Sequence, residues 1–525
     1  MNNKNHWRKI IILLICFIPF RLFASVNETL PTFHWSYDYI EALQACGFCL
    51  DLLQMNLPYT RGEVAKSLVL SKNSFLLQET GSSTRKLFQR LFIEFDSEMK
   101  SLQTNAEIAD GINFRSHIRA NLDHQAQNKT KYRGIYRAGF GASVGKNLYA
   151  FSGVNFNQYD YNNPAYKGYK WRGVSGYAEQ AYIRFNWKRF HLKIGRDFLK
   201  WGAGQSGTLV FSNIARPMDQ FLSAVNFGPF KFTFVASELD RFAAKNLNGI
   251  RVPVRRFLSG HRLDLSLYQG RIQAAISELV VYGGENASFD VVYLNPMIFY
   301  HGATKNGASD SNVLPTLDLL LYAKKNLQFY SSLLIDDIQI EKTGPGDLEP
   351  NEIAWLAGMK WADPAGMKGM TLNAEYVRVA NRTYKTPHPP ELFTHRGIPL
   401  GYPLGNDVDY WQLGLSKWFR KGLWLELETS QTRKGEGSLF TPWDEPWMAF
   451  TIKEGYSEPF PTGVVEKKTL VSAKMRYYYS VHWGVEADIF ISNRKNADHV
   501  SSQIKKNTFW RIGLNFNGEL FKGLN

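Results

Sequence analysis

Four carboxylates in the second half of the chain have a spacing that suits glycoside hydrolysis. Glu426 and Glu428 form one pair and Glu486 and Asp488 another, with one residue between the members of each. On a β-strand such a pair lies on one face about 7 Å apart, near the separation that inverting glycosidases use. Alternating carboxylates are also typical of the polar interior of a barrel. We therefore predict a protein that is not an enzyme.

The glycines of residues 202–207 spell G-x-G-x-x-G, a pattern that also occurs in dinucleotide-binding turns. Such a turn must open a helix whose N-terminus meets the pyrophosphate. Here residues 208–211 favour a strand, and Pro217 follows soon after. We therefore predict that the chain binds no nucleotide and no other cofactor.

The same segment carries side chains suited to binding a sugar. They are Trp201, Gln205, Ser206, Asn213 and Arg216. An indole offers a stacking surface, amides and hydroxyls form hydrogen bonds, and a guanidinium can hold a uronate carboxylate through two parallel bonds. The alternative is a constrained inward loop, in which Arg196 pairs with Asp197 or Asp219.

Cys46 and Cys49 form a C-x-x-C motif. A thioredoxin-like site would need a βαβ context, and two cysteines are too few for a closed zinc site. We predict a small structural disulfide between them, formed in an oxidising compartment.

Asp407 and Asp409 could contribute to a calcium site, because carboxylate oxygens are calcium ligands. An EF-hand-like loop needs more oxygen ligands and a downstream glutamate, and the chain has no H-E-x-x-H zinc motif. We therefore predict no metal site.

Residues 1–24 have the plan of a secretory signal peptide. Basic residues up to Lys9 precede the uncharged stretch 10–20, and Ala24 supplies a small residue for cleavage. The apolar stretch is too short to span a bilayer as a helix. A retained signal anchor is the alternative.

The formal net charge of +15 favours an anionic partner. Basic and acidic residues are interspersed, without the block of Lys and Arg that is typical of a nucleic-acid-binding arm. We predict contact with a polyanionic glycan or lipid head group, lipopolysaccharide included, and no nucleic acid.

Residues 25–108 have helical spacing, which predicts a small α-helical bundle. Residues 60–63 form a capping box, which predicts the start of a helix. The apolar residues within 64–69 then lie on one face of that helix. Leu87, Leu91 and Phe95 mark a further helix. A bundle of this size is marginal alone and should pack on something larger.

From residue 109 to 525 the hydrophobic period changes to two. Leu423, Leu425 and Leu427 alternate with polar or charged neighbours, and the runs 181–187 and 512–516 repeat the pattern. Such strands, with no linker between them, favour a closed antiparallel transmembrane β-barrel with lipid on its apolar face. At roughly 22 residues per strand and connection, we predict a mainly β protein of about 18 strands. Soluble β-domains are the alternative, although no repeat supports them.

The chain resembles the Wzi-like capsule assembly proteins of the bacterial outer membrane. The residues that carry the resemblance are Gly195-Arg196, Trp201-Gly202-x-Gly204, Leu209, Ser212-Asn213, Ala215, Pro217, Asp219, His261-Arg262-Leu263-Asp264, Ser277-Glu278, Tyr282-Gly283, Tyr293-Leu294-Asn295-Pro296 and Pro403-Leu404-Gly405-Asn406-Asp407-Val408-Asp409. Their order and spacing cover roughly residues 110–515.

The resemblance implies a barrel of about 18 strands in the outer membrane, closed on the periplasmic side by the helical bundle. It also implies non-catalytic, lectin-like binding that organises capsular or other surface polysaccharide. On this basis the candidate polysaccharide-binding residues are Arg196, Trp201, Gln205, Ser206, Asn213, Arg216, Asp219, His261, Glu278, Asn295, Asp407 and Asp409. We expect a monomer. The alternative is a porin-like channel whose lumen passes small solutes.

Overall fold

The structure is a computed structural model that describes residues 26–76, 82–104, 111–125, 128–163, 166, 168–212, 214, 216–245, 251–307, 311–419 and 422–523. The predicted signal peptide and Asn213 lie outside these residues, and so does the predicted boundary between residues 108 and 109.

Eighteen antiparallel strands among the described residues close into one barrel, which confirms the predicted fold. They are β1 (Gly111–Gln125), β2 (Asn128–Val144), β3 (Leu148–Asn157), β4 (Val174–Trp187), β5 (Phe190–Asp197), β6 (Met218–Phe227), β7 (Phe230–Glu238), β8 (Arg251–Leu267), β9 (Ile272–Glu285), β10 (Ser311–Lys324), β11 (Leu327–Asp337), β12 (Glu352–Ala362), β13 (Met370–Val379), β14 (Val408–Trp418), β15 (Leu423–Lys434), β16 (Glu466–Tyr478), β17 (Trp483–Lys495) and β18 (Ile504–Gly523).

The barrel closes where β1 pairs with β18, from Gly111 opposite Gly523 to Gln125 opposite Phe509. Short strands extend or decorate it: Asn56–Leu57, Lys170–Trp171, Lys200–Trp201, Phe242–Lys245, Thr394–His395 and Ile398–Pro399. Because every strand of a closed sheet has two neighbours, the barrel leaves no open edge of unpaired amides in the bilayer.

The described helices are α1 (Ser36–Ala45), α2 (Arg61–Leu76), α3 (Ser82–Glu94), α4 (Asp96–Thr104), α5 (Val291–Leu294) and α6 (Tyr300–Lys305). Short 3₁₀ turns occur at Asp160–Asn162, Tyr268–Gly270, Pro345–Leu348, Pro364–Gly366, Pro389–Glu391, Pro446–Ala449 and Ala497–His499. None of the described helices is both long enough and apolar enough to cross a membrane.

The predicted capping box begins α2. The Glu63 amide donates to Thr60 Oγ1 at 3.1 Å, and the Thr60 amide donates to Glu63 Oε2 at 2.7 Å. Two orphan donors of the first helical turn are therefore satisfied reciprocally, as the sequence predicted.

Helices α1–α4 form a bundle that covers the end of the barrel with the short strand connections. Asp38 of α1 lies 2.5 Å from Arg476 at the end of β16, and Glu41 lies 3.1 Å from Lys360 of β12. From α3, Arg90 donates to the Tyr478 carbonyl oxygen. The bundle thus packs on the larger barrel, which compensates for its small size.

Two long connections turn into the lumen: residues 198–217, between β5 and β6, and residues 380–407, between β13 and β14. We call them together the plug. Tyr384 Oη donates to the Leu209 carbonyl oxygen at 2.6 Å, which joins the two connections. The plug lies between the helical bundle and the opposite end of the barrel.

The plug and the inward face of β8–β13 share an apolar core. Its members include Trp201, Leu209, Phe211, Phe393 and Tyr402 from the plug and Leu258, Leu279, Leu314, Leu356 and Val377 from the wall, each at most 1% exposed. We expected a polar lumen throughout. The interior is apolar in this sector because protein, not water, fills it.

The lumen keeps its predicted polar lining along β15–β18. Lys474 Nζ lies 2.8 Å from Glu426 and 3.2 Å from Glu428. Outward neighbours on the same strand, such as Leu425 and Leu427, are 38% and 62% exposed. The two carboxylates therefore share one lysine on the lumen wall as their charge partner.

The expected disulfide is not formed, because Cys46 and Cys49 are both free thiols. Ser71 Oγ instead donates to Cys49 Sγ at 3.5 Å. Burial raises the pKa of Cys46 to about 12 and that of Cys49 to about 11. At neutral pH neither sulfur is a reactive thiolate.

Candidate functional site

An open cleft of about 490 Å³ lies at the end of the barrel with the long connections. Residues from β4, β6 and β7, from their connections and from the plug line it: Tyr166, Gly168, Gly176, Tyr177, Arg216, Asp219, Glu238, Leu239, Asp240, Arg241, His395 and Arg396. Arginines, carboxylates and tyrosine rings dominate this lining.

Arg216 is held between two tyrosine rings. Its guanidinium carbon lies 4.8 Å from the centroid of the Tyr166 ring and 4.7 Å from that of Tyr177. Nη2 also lies 3.2 Å from Asp160. Stacking and the ion pair fix the orientation of the guanidinium, so little conformational entropy remains to be lost on binding.

Asp219 and Arg196 form an ion pair at the wall of the cleft. They are directly opposite each other on β6 and β5, and the Arg196 Nε and Nη2 atoms lie 2.9 Å and 2.5 Å from the Asp219 oxygens. The Asp219 side chain remains 61% exposed. Asp197 is instead bound by Lys193 at 2.6 Å. This settles the open choice of partner for Arg196.

The plug contributes His395 and Arg396 to the opposite wall. The Arg396 amide donates to Asp240 Oδ1 at 2.7 Å, and His395 Nδ1 lies 3.5 Å from the same oxygen. Burial lowers the pKa of His395, so its ring is neutral at pH 7. Burial, together with Arg196 and Arg216, also lowers the pKa of Arg396.

Trp201, Gln205 and Ser206 of the predicted site also lie in the plug. Trp201 is 0% exposed, so its ring offers no surface to a ligand, contrary to our expectation. The amides of Gln205 and Ser206 donate to Glu375 at 2.7 Å and 2.9 Å. These residues hold the plug in place against β13.

His261, Glu278 and Asn295 lie away from the cleft, on the outer side of the barrel. His261 Nε2 lies 3.4 Å from Glu278 Oε2 across β8 and β9. Asn295 Oδ1 accepts from the Met297 amide at 3.1 Å. The structure therefore separates these residues from Arg216 and Asp219.

Asp407 and Asp409 also lie elsewhere, at the base of the connection after β15. Asp407 is 0% exposed and accepts hydrogen bonds from the Gly437 amide at 2.8 Å and Thr462 Oγ1 at 2.5 Å. Arg433 Nε donates to Asp409 at 2.9 Å. Both carboxylates therefore already accept hydrogen bonds from the protein, and they anchor the backbone connections next to them.

A group of three metal-ligand side chains occurs among the described residues, formed by His34, Glu94 and Glu519. Arg61 reaches two of them, with Nη1 2.9 Å from Glu94 and 3.5 Å from Glu519. The Arg61 guanidinium is therefore already a positively charged partner of both carboxylates.

The model of the family described as capsule assembly protein Wzi matches residues 89–509. The chain belongs to the Wzi capsule-assembly family. Membership gives it a capsule-related role as an outer-membrane β-barrel. A comparison with curated proteins found no match.

A solved structure shows the same fold. The barrel is similar to Wzi of Escherichia coli, described as an outer-membrane, carbohydrate-binding β-barrel involved in group 1 capsule assembly. The TM-score is 0.60 at 15% identity, over 91% of this chain and 97% of that one. OpdK from Pseudomonas aeruginosa is similar with a TM-score of 0.46 at 9% identity, over 78% of this chain and 99% of that one.

Sequence reasoning missed most of the cleft residues of this Wzi-family barrel, among them Tyr166, Tyr177, Asp240, His395 and Arg396. The two plug residues are about 180 positions from Arg216 along the chain. A usable signal was present, because the connection that contains them is long, and long connections often carry function.

Proposed function

We propose that this Wzi-family barrel binds capsular or other surface polysaccharide in the cleft and holds it at the cell surface without catalysis. The observation that carries the proposal is Arg216, fixed between Tyr166 and Tyr177 at an open cleft. A pre-oriented guanidinium beside aromatic rings suits a sugar that bears a carboxylate.

The cleft also offers partners for sugar hydroxyls. Asp219, 61% exposed, accepts hydrogen bonds, while Arg241, 62% exposed, donates them. With a carboxylate and a guanidinium both exposed in the cleft, one sugar hydroxyl can donate a hydrogen bond and another can accept one. The carbohydrate-binding description of the E. coli Wzi barrel supports the same class of ligand.

We also propose that the helical bundle faces the periplasm. It covers the short strand connections, which lie on the periplasmic side in outer-membrane barrels, whereas longer loops face outward. The cleft, at the opposite end, then faces the cell exterior, where capsule and lipopolysaccharide lie. We also propose that the protein is a monomer.

Arg216→Met is expected to weaken binding of a uronate-bearing oligosaccharide at least tenfold, because one charge-assisted pair is lost. The measurement is a glycan array with the purified full-length protein, followed by titration of the best uronate ligand and of its carboxyl-reduced form. Arg172→Met is the control, since Arg172 is an exposed arginine of the connection between β3 and β4 and is not itself one of the residues that line the cleft. Equal affinity of wild type and Arg216→Met would reject the cleft as the binding site.

The filled lumen predicts low conductance. The plug side chains named above as core members are each at most 1% exposed, so the wild-type protein in a planar bilayer is expected to give no stable current steps at voltages where a porin conducts. Reproducible open-channel steps from the purified protein would instead favour the porin-like function.

A further inference from the structure

Residues 286–307 fold back over the outside of the barrel, and we call them the flap. They follow β9 and contain α5 and α6. The outer side is identified by alternation: Leu279 and Val281 of β9 belong to the lumen core, so Glu278 and Val280 point outward.

Two buried tyrosines attach the flap to the wall. Tyr293 and Tyr300 are both 0% exposed. The Tyr293 ring lies 4.7 Å from that of Tyr282 on β9, and its hydroxyl lies 3.0 Å from Ser311 Oγ on β10. Phe257 of β8 belongs to the same apolar cluster. This packing gives the flap a fixed position.

The flap covers an ionisable pair that would otherwise face lipid. Its Tyr300 and His301 amides donate to the Glu278 carboxylate at 2.8 Å and 2.9 Å. The His261 ring lies 4.6 Å from the Tyr300 ring. Polar groups without partners are costly in hydrocarbon, so the flap shields this part of the wall from acyl chains.

The apolar band of the wall is short beneath the flap. On β9 the outward apolar positions run only from Ile272 to Ile276, about 13 Å at the strand rise, before Glu278 interrupts them. On β17 they run from Trp483 to Ile491, about 26 Å. An apolar band is typically about 25 Å tall. The outward apolar residues above Glu278, Val280 and Tyr282, are buried under the flap, so the exposed apolar face of β9 ends at Ile276.

The outer side of the flap is apolar and exposed. Its exposed apolar side chains are Phe289 at 41%, Val291 at 80%, Met297 at 80% and Phe299 at 62%. Below them, exposed Ile276 and Leu317 of the wall, at 60% and 53%, continue the same surface toward the bilayer centre. The flap therefore supplies the exposed apolar surface above Ile276, where it covers the wall.

We propose that the flap is embedded in the outer leaflet of the membrane, with Met297 and Phe299 in contact with lipid acyl chains. It completes the apolar band over β8–β10 and keeps the His261–Glu278 pair out of lipid. The chemistry of the partner is a hydrocarbon chain, and its source is the bilayer itself.

The test attaches an environment-sensitive NBD fluorophore to single cysteines in a full-length chain whose native cysteines are serine. Met297→Cys reports on the flap and Ile276→Cys on the lipid-facing wall. Ile340→Cys is the matched control, since Ile340 is 81% exposed but lies in the connection after β11. The labelled proteins are inserted into phosphatidylcholine vesicles with brominated acyl chains, and a second set is exposed to iodide in the aqueous phase.

We expect brominated lipid to quench position 297 at least half as strongly as position 276, and iodide to quench position 340 several times more strongly than position 297. Strong iodide quenching at 297, with lipid quenching as weak as at 340, would overturn the proposal. Quenching at 276 establishes insertion of the barrel in each preparation. Phe299→Cys repeats the measurement if the label at 297 disturbs the flap.

Discussion

Arg61→Met is expected to lower the free energy of unfolding by about 3–5 kcal/mol, because it leaves buried carboxylates without their partner. The Arg61 side chain is 1% exposed, with Nε 2.5 Å from Glu98 and Nη1 2.9 Å from Glu94. The same guanidinium lies 3.5 Å from Glu519 of β18, so it also joins the helical bundle to the barrel. Urea unfolding in detergent, followed by tryptophan fluorescence, measures the change.

Lys100→Met is the matched control on the same bundle. Lys100 lies 2.6 Å from Asp96, but the two side chains are 70% and 39% exposed. Exposed ion pairs contribute at most about 1 kcal/mol, so this variant should unfold close to wild type. Limited proteolysis should also cut the bundle of Arg61→Met earlier than that of the control. If both variants lost the same free energy of unfolding, burial of Arg61 would not be the cause of the loss.

The barrel could be predicted from sequence because its signal is local. Alternation over a few residues, as in Leu423, Leu425 and Leu427, is enough to define a strand with one apolar face. Closure then follows from the physical requirement that no sheet edge lies in hydrocarbon. Strand number follows from chain length divided by roughly 22 residues per strand and connection on average.

The glycines of residues 202–207 show why the plug was harder to predict. Gly202 and Gly204 have φ values of +107° and +131°, and Gly207 has +154°. These are conformations that side chains with a Cβ rarely adopt. The motif therefore allows a connection to turn inward and pack in the lumen. Which partner it meets there depends on residues 380–407, and no local pattern connects the two segments.

The position of His261 was readable from the sequence, although we assigned it to the binding site. Leu263 and Leu265 have the same parity as His261 along β8, and Arg262 has the opposite one. Since the leucines define the lipid-facing side, His261 had to lie with them. The partner of His261 is Glu278 of β9, and the flap covers both residues. The alternation along β8 alone reveals neither of these contacts.

Trp201→Ala is the second large expected effect, a loss of about 3–4 kcal/mol in the free energy of unfolding. The indole is 0% exposed, lies 5.2 Å from the Phe211 ring and 5.8 Å from the Arg262 guanidinium, and leaves a cavity in the plug core when removed. Its ring N–H has no hydrogen-bond partner among the described residues. The alanine variant no longer buries this unpaired N–H donor. The loss in the free energy of unfolding should therefore fall in the lower half of the usual range for replacing a buried tryptophan.

Trp171→Ala is the control, because Trp171 is 59% exposed and leaves no cavity. Glycan affinity then separates the two roles that Trp201 could have. If it only supports the plug, folded Trp201→Ala should bind the uronate ligand within about twofold of wild type while unfolding at lower urea concentration. If it contacts the glycan, affinity should fall tenfold or more with little change in stability. The full burial of the ring favours the first outcome, because a sugar cannot reach it unless the plug moves.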